Sequence, residues 1–291
     1  MRKENLLGFY AGKIEYVFEK YLSSLYPINP PSFMIVGAQK AGTGSLHYYL
    51  NQHPQLKGTK PKELHFFDRK QFLGHDFSDY LVNFRGNANK KYFESTPIYM
   101  YLPHVVPQIH EAFPDIKLIV VLRNPVERAF SAWNHYRVKF EKGGHNNMAK
   151  SQQMPWDYIY EYFYRGRSKM PSFRECIDIE LRMIEEGKGF EPAILRRGLY
   201  LEQLERIWSY YPADNVKIVG FNDLTQNTID TLNEICKFIG VDSIEWKYLN
   251  SQPRNSHGYT EKLSSDDRAF LESFYFEGNE KLFKKIGPVN W

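Results

Sequence analysis

The chain has 291 residues, 42% of them hydrophobic and 16% aromatic, which allows a substantial core and excludes disorder as its general state. Its net charge of +4 suits anionic ligands and is too small to argue for a nucleic-acid partner. Two cysteines, Cys176 and Cys236, are too few for a disulfide framework and fit a reducing compartment.

At the N-terminus, Arg2, Lys3, Glu4, Lys13, Glu15, Glu19 and Lys20 leave no uninterrupted apolar core, which argues against a signal peptide. Nothing in the chain approaches eighteen consecutive apolar residues, so no transmembrane segment is expected and the cytoplasm is the expected compartment. Ile14, Val17, Phe18, Tyr21, Leu22 and Leu25 recur at helical spacing until Pro27 stops them. Residues 1–30 therefore read as a helical extension, packed on the domain or docking peripherally on a membrane or partner. Residues 31–291 read as one domain.

An apolar run, Phe33–Val36, leads into Gly37-Ala38-Gln39-Lys40-Ala41-Gly42-Thr43-Gly44-Ser45, and a helix-compatible segment follows from Leu46 to Asn51. A strand–loop–helix joint of this kind aims backbone N–H groups and the positive helix end at one point, an anion cradle. Gly37 and Gly42 keep the spacing of a nucleotide P-loop, but Thr43-Gly44 stands where its Lys-Ser/Thr pair belongs. Lys40 comes earlier, and no hydroxyl adjoins it to hold magnesium. The loop from Lys40 through Ala41, Gly42, Thr43, Gly44 and Ser45 thus reads as a phosphate site without metal, and a nucleotide or sugar kinase is the alternative from another class. Thr43 and Ser45 read either as hydroxyl donors to the phosphate or as helix caps.

Further strands are expected at Lys91–Glu94, Lys117–Leu122 and Val216–Gly220, with helices between them. The alternation implies an α/β, three-layer, P-loop-like fold, in which a central and mostly parallel sheet is flanked by helices and binds ligands at the carboxyl ends of its strands. Lys117–Leu122 ends in Arg123-Asn124-Pro125, and Pro125 suits the first position of a helix. In that helix Val126, Ala129, Phe130, Trp133 and Phe140 form an apolar stripe, with Arg128 and Ser131 on another face. Arg123 stands where a kinase would place a metal-binding aspartate, and Ser131 follows eight residues later, a pair suited to a second anion. Glu141 to Pro171 interrupts the order, first polar and then aromatic and basic, and reads as a lid insertion on the acceptor side. Ser265-Asp266-Asp267 opens a last helix through Phe270, Leu271, Phe274 and Tyr275.

The Gly-x-x-Lys-x-Gly-Thr loop and the Arg-Asn-Pro-x-x-Arg-x-x-Ser segment together resemble the sulfotransferases that use 3′-phosphoadenosine 5′-phosphosulfate. The likeness is to the heparan sulfate branch, in a soluble bacterial-type form. Lys62 to Asp68, Phe93 to Tyr99, and Gly198-Leu199-Tyr200 through Phe221 to Leu224 support it. The resemblance implies that the first loop, with Lys40, takes the 5′-phosphosulfate and that Arg123 and Ser131 take the 3′-phosphate. It makes Glu63 the general base. His65, two residues on and on the same side of an extended segment, would orient the acceptor, share proton transfer or serve structure alone. Arg254, in a polar loop, would reach the 3′-phosphate or the adenine, although the family's Lys-Gly-Arg pattern is not reproduced. His47, His104, His110 and His135 read as structural.

Sulfuryl transfer moves SO₃ in line between two oxygens, so it needs a base for the acceptor hydroxyl and fixed cations for the leaving phosphate. Heparan-type enzymes carry a lysine where this chain has Ser95. The expected acceptor is therefore a hydroxyl on a neutral or weakly anionic glycan, with a lipid or polyketide-type natural product next.

Overall fold

The computed structural model describes residues 26–69, 74–143, 159–188, 193–246 and 261–291. Most of the expected N-terminal helix, residues 144–158 of the expected lid, and Arg254 lie outside these ranges.

Five strands form one sheet in the order β2-β3-β1-β4-β5. They are β1 (Pro31–Gly37), β2 (Leu56–Gly58), β3 (Lys91–Ser95), β4 (Lys117–Leu122) and β5 (Val216–Gly220), and every pairing between them is parallel. β1 and β4 are apolar on both faces because helices cover both; Phe33, Met34, Ile35, Ile119, Val120, Val121 and Leu122 are fully buried. The four expected strands are present with their ends extended by a residue or two at most three sites. β2 was not anticipated: three residues with only Leu56 strongly apolar give too short a pattern to stand out.

The helices are α1 (Thr43–Leu50), α2 (Phe77–Leu81), α3 (Val105–Ala112), α4 (Pro125–Glu141), α5 (Phe173–Glu185), α6 (Tyr200–Trp208), α7 (Phe221–Gln226), α8 (Thr228–Ile239) and α9 (Ser265–Ile286). Local chemistry sets several starts. Asn124 caps α4, accepting from the N–H groups of Val126 and Glu127, with Pro125 in the first turn. Ser172 and Glu175 form a reciprocal capping box on α5, and Ser264 accepts from the N–H of Asp267 at α9.

α4 departs from the expected two-faced helix. Arg128 and Ser131, placed on a different face from the apolar stripe, are buried as well. A second apolar cluster explains this, since α4 packs with α5, α9 and the 159–170 segment through Trp133, Phe163, Phe173, Ile177 and Tyr275. The described part of the 141–171 insertion is anchored rather than free. Phe163 and Tyr164 are buried, and the Tyr164 hydroxyl donates to the Tyr136 carbonyl at 2.9 Å.

From β1 the chain runs outward to β2, returns to β3, crosses β1 to β4, and continues to β5. Connections therefore leave β1 and β4 in opposite directions, and the crevice at their carboxyl ends is the switch point where such sheets bind ligands.

Gly220, at the end of β5, carries the C-terminal segment against this crevice. The N–H of Asn222 donates to the Asn290 carbonyl at 3.1 Å, and Trp291 packs on Tyr200 at 5.9 Å. A Cβ at Gly220 would collide with the Asn290 carbonyl. Gly220→Ala should therefore lower unfolding stability by about 1–3 kcal/mol, measured by urea titration; an unchanged midpoint would show that the C-terminal segment yields freely.

Candidate active site

Between β1 and α1 the chain makes a tight cradle. The N–H of Ala38 donates to the Val121 carbonyl at 2.8 Å, tying the loop to β4. A Cβ on Gly37 would collide with the Met100 side chain, so glycine is required there. Gly42 precedes α1 with φ 89°, the left-handed region that favours glycine, and no side chain caps the helix. The alternative of Thr43 or Ser45 as a cap therefore does not hold, and the first-turn N–H groups keep no side-chain acceptor. Lys40 also lies in the left-handed region at φ 69°. For a lysine that conformation costs on the order of 1 kcal/mol.

Arg123 closes the crevice from β4. Its Nη1 donates to the Lys40 carbonyl at 3.1 Å, its guanidinium lies 4.7 Å over the Phe221 ring, and its own carbonyl accepts from the Tyr200 hydroxyl at 2.7 Å. The turn that leads into Tyr200 is held by two buried charged side chains. Buried Glu180 accepts from the N–H groups of Ile194 at 2.6 Å, Leu195 at 2.9 Å and Arg196 at 3.0 Å, while buried Arg128 donates to the Ile194 carbonyl. Burial, then Arg123 and to a smaller degree Arg128, push the Lys40 ammonium down to about 8, against a partial offset from Glu63. This is a site with more positive charge than its own carboxylates neutralise, and it fits an anion. Ser131 is buried on α4. Among the described residues no group of three His, Cys, Asp or Glu side chains could hold a metal.

Glu63 sits in the segment between β2 and α2, 39% exposed at its side chain. Lys62 Nζ lies 2.7 Å from one carboxylate oxygen and His65 Nε2 lies 3.4 Å from the other. His65 is not extended; its φ is 53°, and the turn places its Nδ1 2.8 Å from Asp68 Oδ2. Asp68 is buried, and its other oxygen has no hydrogen-bond partner among the described residues. Burial opposes ionisation of Glu63, but His65 and Lys62 outweigh it and hold the carboxyl at about 2. Burial likewise opposes charge on His65, yet the bonds to Asp68 and Glu63 raise it to about 9. At neutral pH the segment carries an imidazolium between two carboxylates.

Ser95, where the resemblance expects a lysine, lies with its Oγ 2.9 Å from His47 Nδ1. Burial, then Lys62, lower His47 to about 4, so this floor of the site is polar and neutral. The structure thus joins Lys40 to Arg123 directly and sets Glu63 close enough to offset part of the Lys40 shift. Sequence reasoning did not assign roles to Asp68, Lys62, Tyr200 or Phe221. Only the i, i+3 spacing of His65 and Asp68 hinted at one.

Residues 30–255 match the family described as "Sulfotransferase domain", and the chain belongs to that family. Over 88% of its length it is 23% identical to the membrane-associated sulfotransferase kil1 of Dictyostelium discoideum, and over 86% it is 28% identical to the human bifunctional heparan sulfate N-deacetylase/N-sulfotransferase 2. The chain spans 65% and 25% of the length of those two relatives. Among solved structures, a sulfotransferase from Alicyclobacillus acidocaldarius is 25% identical with a TM-score of 0.66, covering 88% of this chain and 96% of that one. A mouse sulfotransferase complexed with PAP, 12% identical, shares the fold with a TM-score of 0.55, covering 91% of this chain and 88% of that one.

The two shifts give opposite pH windows. The contribution of His65 is complete below about 6.5 and is lost as pH rises through about 9. That of Glu63 is complete above about 4.5 and is lost as pH falls towards about 2. In an NMR titration the His65 imidazole should change charge near pH 9, and Asp68→Asn should bring that midpoint down towards 6.5. A midpoint near 6.5 in the unmodified protein would mean that the Asp68 contact does not persist in solution.

Proposed function

We propose that this chain transfers a sulfuryl group from 3′-phosphoadenosine 5′-phosphosulfate to an acceptor hydroxyl, with Glu63 as general base. The observation that carries the reading is the juxtaposition of the Lys40–Arg123 cationic crevice with the Glu63–His65–Asp68 segment at one end of the parallel sheet. The donor supplies an activated sulfate on a phosphate leaving group. Lys40, the N–H groups of Gly42 to Ser45 and the hydroxyls of Thr43 and Ser45 would hold the 5′ end, where a cation offsets the charge that develops on the leaving oxygen. Arg123, with Ser131, would hold the 3′-phosphate; the Phe221 ring lies under the guanidinium and Tyr200 holds the Arg123 backbone carbonyl. Arg254 is kept as a further candidate for that phosphate or the adenine.

In the transfer, the acceptor oxygen forms a bond to sulfur as the sulfur–oxygen bond to the 5′-phosphate breaks. The bonding pair leaves with the phosphate, giving adenosine 3′,5′-bisphosphate, and the acceptor proton goes to Glu63. His65, already protonated at neutral pH, cannot take up that proton, which favours the carboxylate as base. A carboxyl held near 2 is a weak base, so the acceptor hydroxyl must displace Lys62 or His65 from it on binding. His65 then orients Glu63, and Asp68 holds the imidazolium.

The acceptor reading is a carbohydrate hydroxyl, supported by the heparan sulfate relatives. The neutral His47–Ser95 pair favours a neutral or weakly anionic glycan over a heavily sulfated one. A lipid or polyketide-type hydroxyl is the second choice. The cytoplasm is the proposed compartment, supported by two buried free cysteines; among the described residues no helix is long and apolar enough to cross a membrane.

Turnover can be followed as transfer of labelled sulfate to a panel of unsulfated hexasaccharides of cellulose, maltose, heparosan and chondroitin type, with transfer to water as a readout independent of acceptor. Glu63→Gln should lower it by roughly 10²–10⁴-fold while the affinity for adenosine 3′,5′-bisphosphate stays within about twofold. Near-normal turnover in the variant would remove Glu63 as the base.

A further inference from the structure

Behind the proposed base lies a polar cluster that the transfer chemistry does not use. Glu94 of β3 is wholly buried and accepts three hydroxyl donors. Tyr80 Oη donates to one oxygen at 2.7 Å, and Thr96 Oγ1 and Tyr99 Oη donate to the other, each at 2.7 Å. Tyr99 has spent its one proton on Glu94, so its lone pairs are left to accept. They take the N–H of Phe66 at 3.0 Å and of Phe67 at 3.4 Å.

These two N–H groups belong to the peptides directly after His65, the residue held at φ 53°. The segment is already anchored by apolar packing, because the Phe66 and Phe67 rings lie 4.9 and 5.1 Å from the Tyr80 ring. Ring packing fixes where the segment sits but leaves its peptide planes free to rotate. Two directed hydrogen bonds remove that freedom. A buried carboxylate is a costly way to orient one phenol, and it makes sense where the phenol's direction matters. The same turn carries Glu63 and Asp68 on either side of the imidazole.

We propose that Tyr99, oriented by Glu94, is a positioning residue for the base: its hydroxyl sets the peptide planes after His65 and so holds the imidazole between Glu63 and Asp68. This rests on the reading of Glu63 as the base. Burial pushes the Glu94 carboxyl up while its three donors work against that; the proposed role is carried by the geometry of those bonds.

Tyr80→Phe and Tyr99→Phe provide the comparison. Each removes one hydroxyl from Glu94 and keeps its ring packing, but only the Tyr99 hydroxyl accepts from the segment's N–H groups. Using the hexasaccharide that the unmodified protein turns over fastest, or water if none is turned over, kcat should fall 10-fold or more in Tyr99→Phe. It should stay within about twofold in Tyr80→Phe, with bisphosphate affinity and donor KM unchanged in both. In a Glu63→Gln background, Tyr99→Phe should cost nothing further, because the group it positions is gone. Equal effects of the two phenylalanine variants, or the same loss with and without Glu63, would overturn the positioning role while leaving the base intact. Normal turnover in Glu63→Gln alone would instead overturn the base assignment on which the proposal rests. If Tyr99→Phe does not fold, amide exchange in the unmodified protein decides. Protection at Phe66 and Phe67 comparable to that in β3 supports the proposal, and exchange at open-loop rates overturns it.

Discussion

The site depends on one contact, the hydrogen bond from the Arg123 guanidinium to the Lys40 carbonyl. It ties the loop after β1 to the end of β4 across the switch point of the sheet, and it brings two cations together where each makes the other less comfortable. Burial first, and Arg123 second, hold the Lys40 ammonium below its ordinary value. A fold does not hold such an arrangement for its own stability. The strained Lys40 backbone, the uncapped N-terminus of α1 and the Phe221 platform under Arg123 all suit the proposed anion with more than one charged end. Tyr200 fixes the Arg123 carbonyl, and Glu180 and Arg128 fix the backbone of Ile194 to Arg196, ahead of Tyr200 in the chain.

Charges on the opposite wall are arranged differently. Glu63, His65, Asp68 and Lys62 interlock through ion pairs, and the shifts of Glu63 and His65 run in the direction set by their partners, which outweigh burial. The resting base is thus kept ionised but occupied. An incoming hydroxyl that replaces one of its partners would restore basicity only when substrate is present, which limits wasteful transfer to water. In the proposed mechanism the two walls divide the labour, with fixed cations for the leaving group and a guarded carboxylate for the acceptor.

Much of this was legible in local sequence. Continuous apolar runs marked β1, β4 and β5, Pro125 marked the start of α4, and the glycine-rich loop with Lys40 and the Arg123 segment marked the crevice. What stayed hidden depends on distant packing. Arg128 was read onto a face apart from the core, yet it is buried because α5 and the turn at Ile194 cover that side of α4, 66 residues away. Tyr99 reaches Phe66 across 33 residues, beyond any periodicity. The turn at His65 has no glycine to announce it, so an extended reading was the natural one, and the pairing with Asp68 follows from the turn. Ser95 was visible as a departure, but its bond to His47 required the fold.

The central claim is that the crevice between β1 and β4 is built for a nucleotide with two separated phosphate ends and without metal. Calorimetry with adenosine 3′,5′-bisphosphate in the presence of a chelator, set against ATP with magnesium, tests it most directly. The bisphosphate should bind without metal at least tenfold more tightly than ATP-magnesium. A preference for ATP-magnesium, or bisphosphate binding that disappears with the chelator, would contradict it.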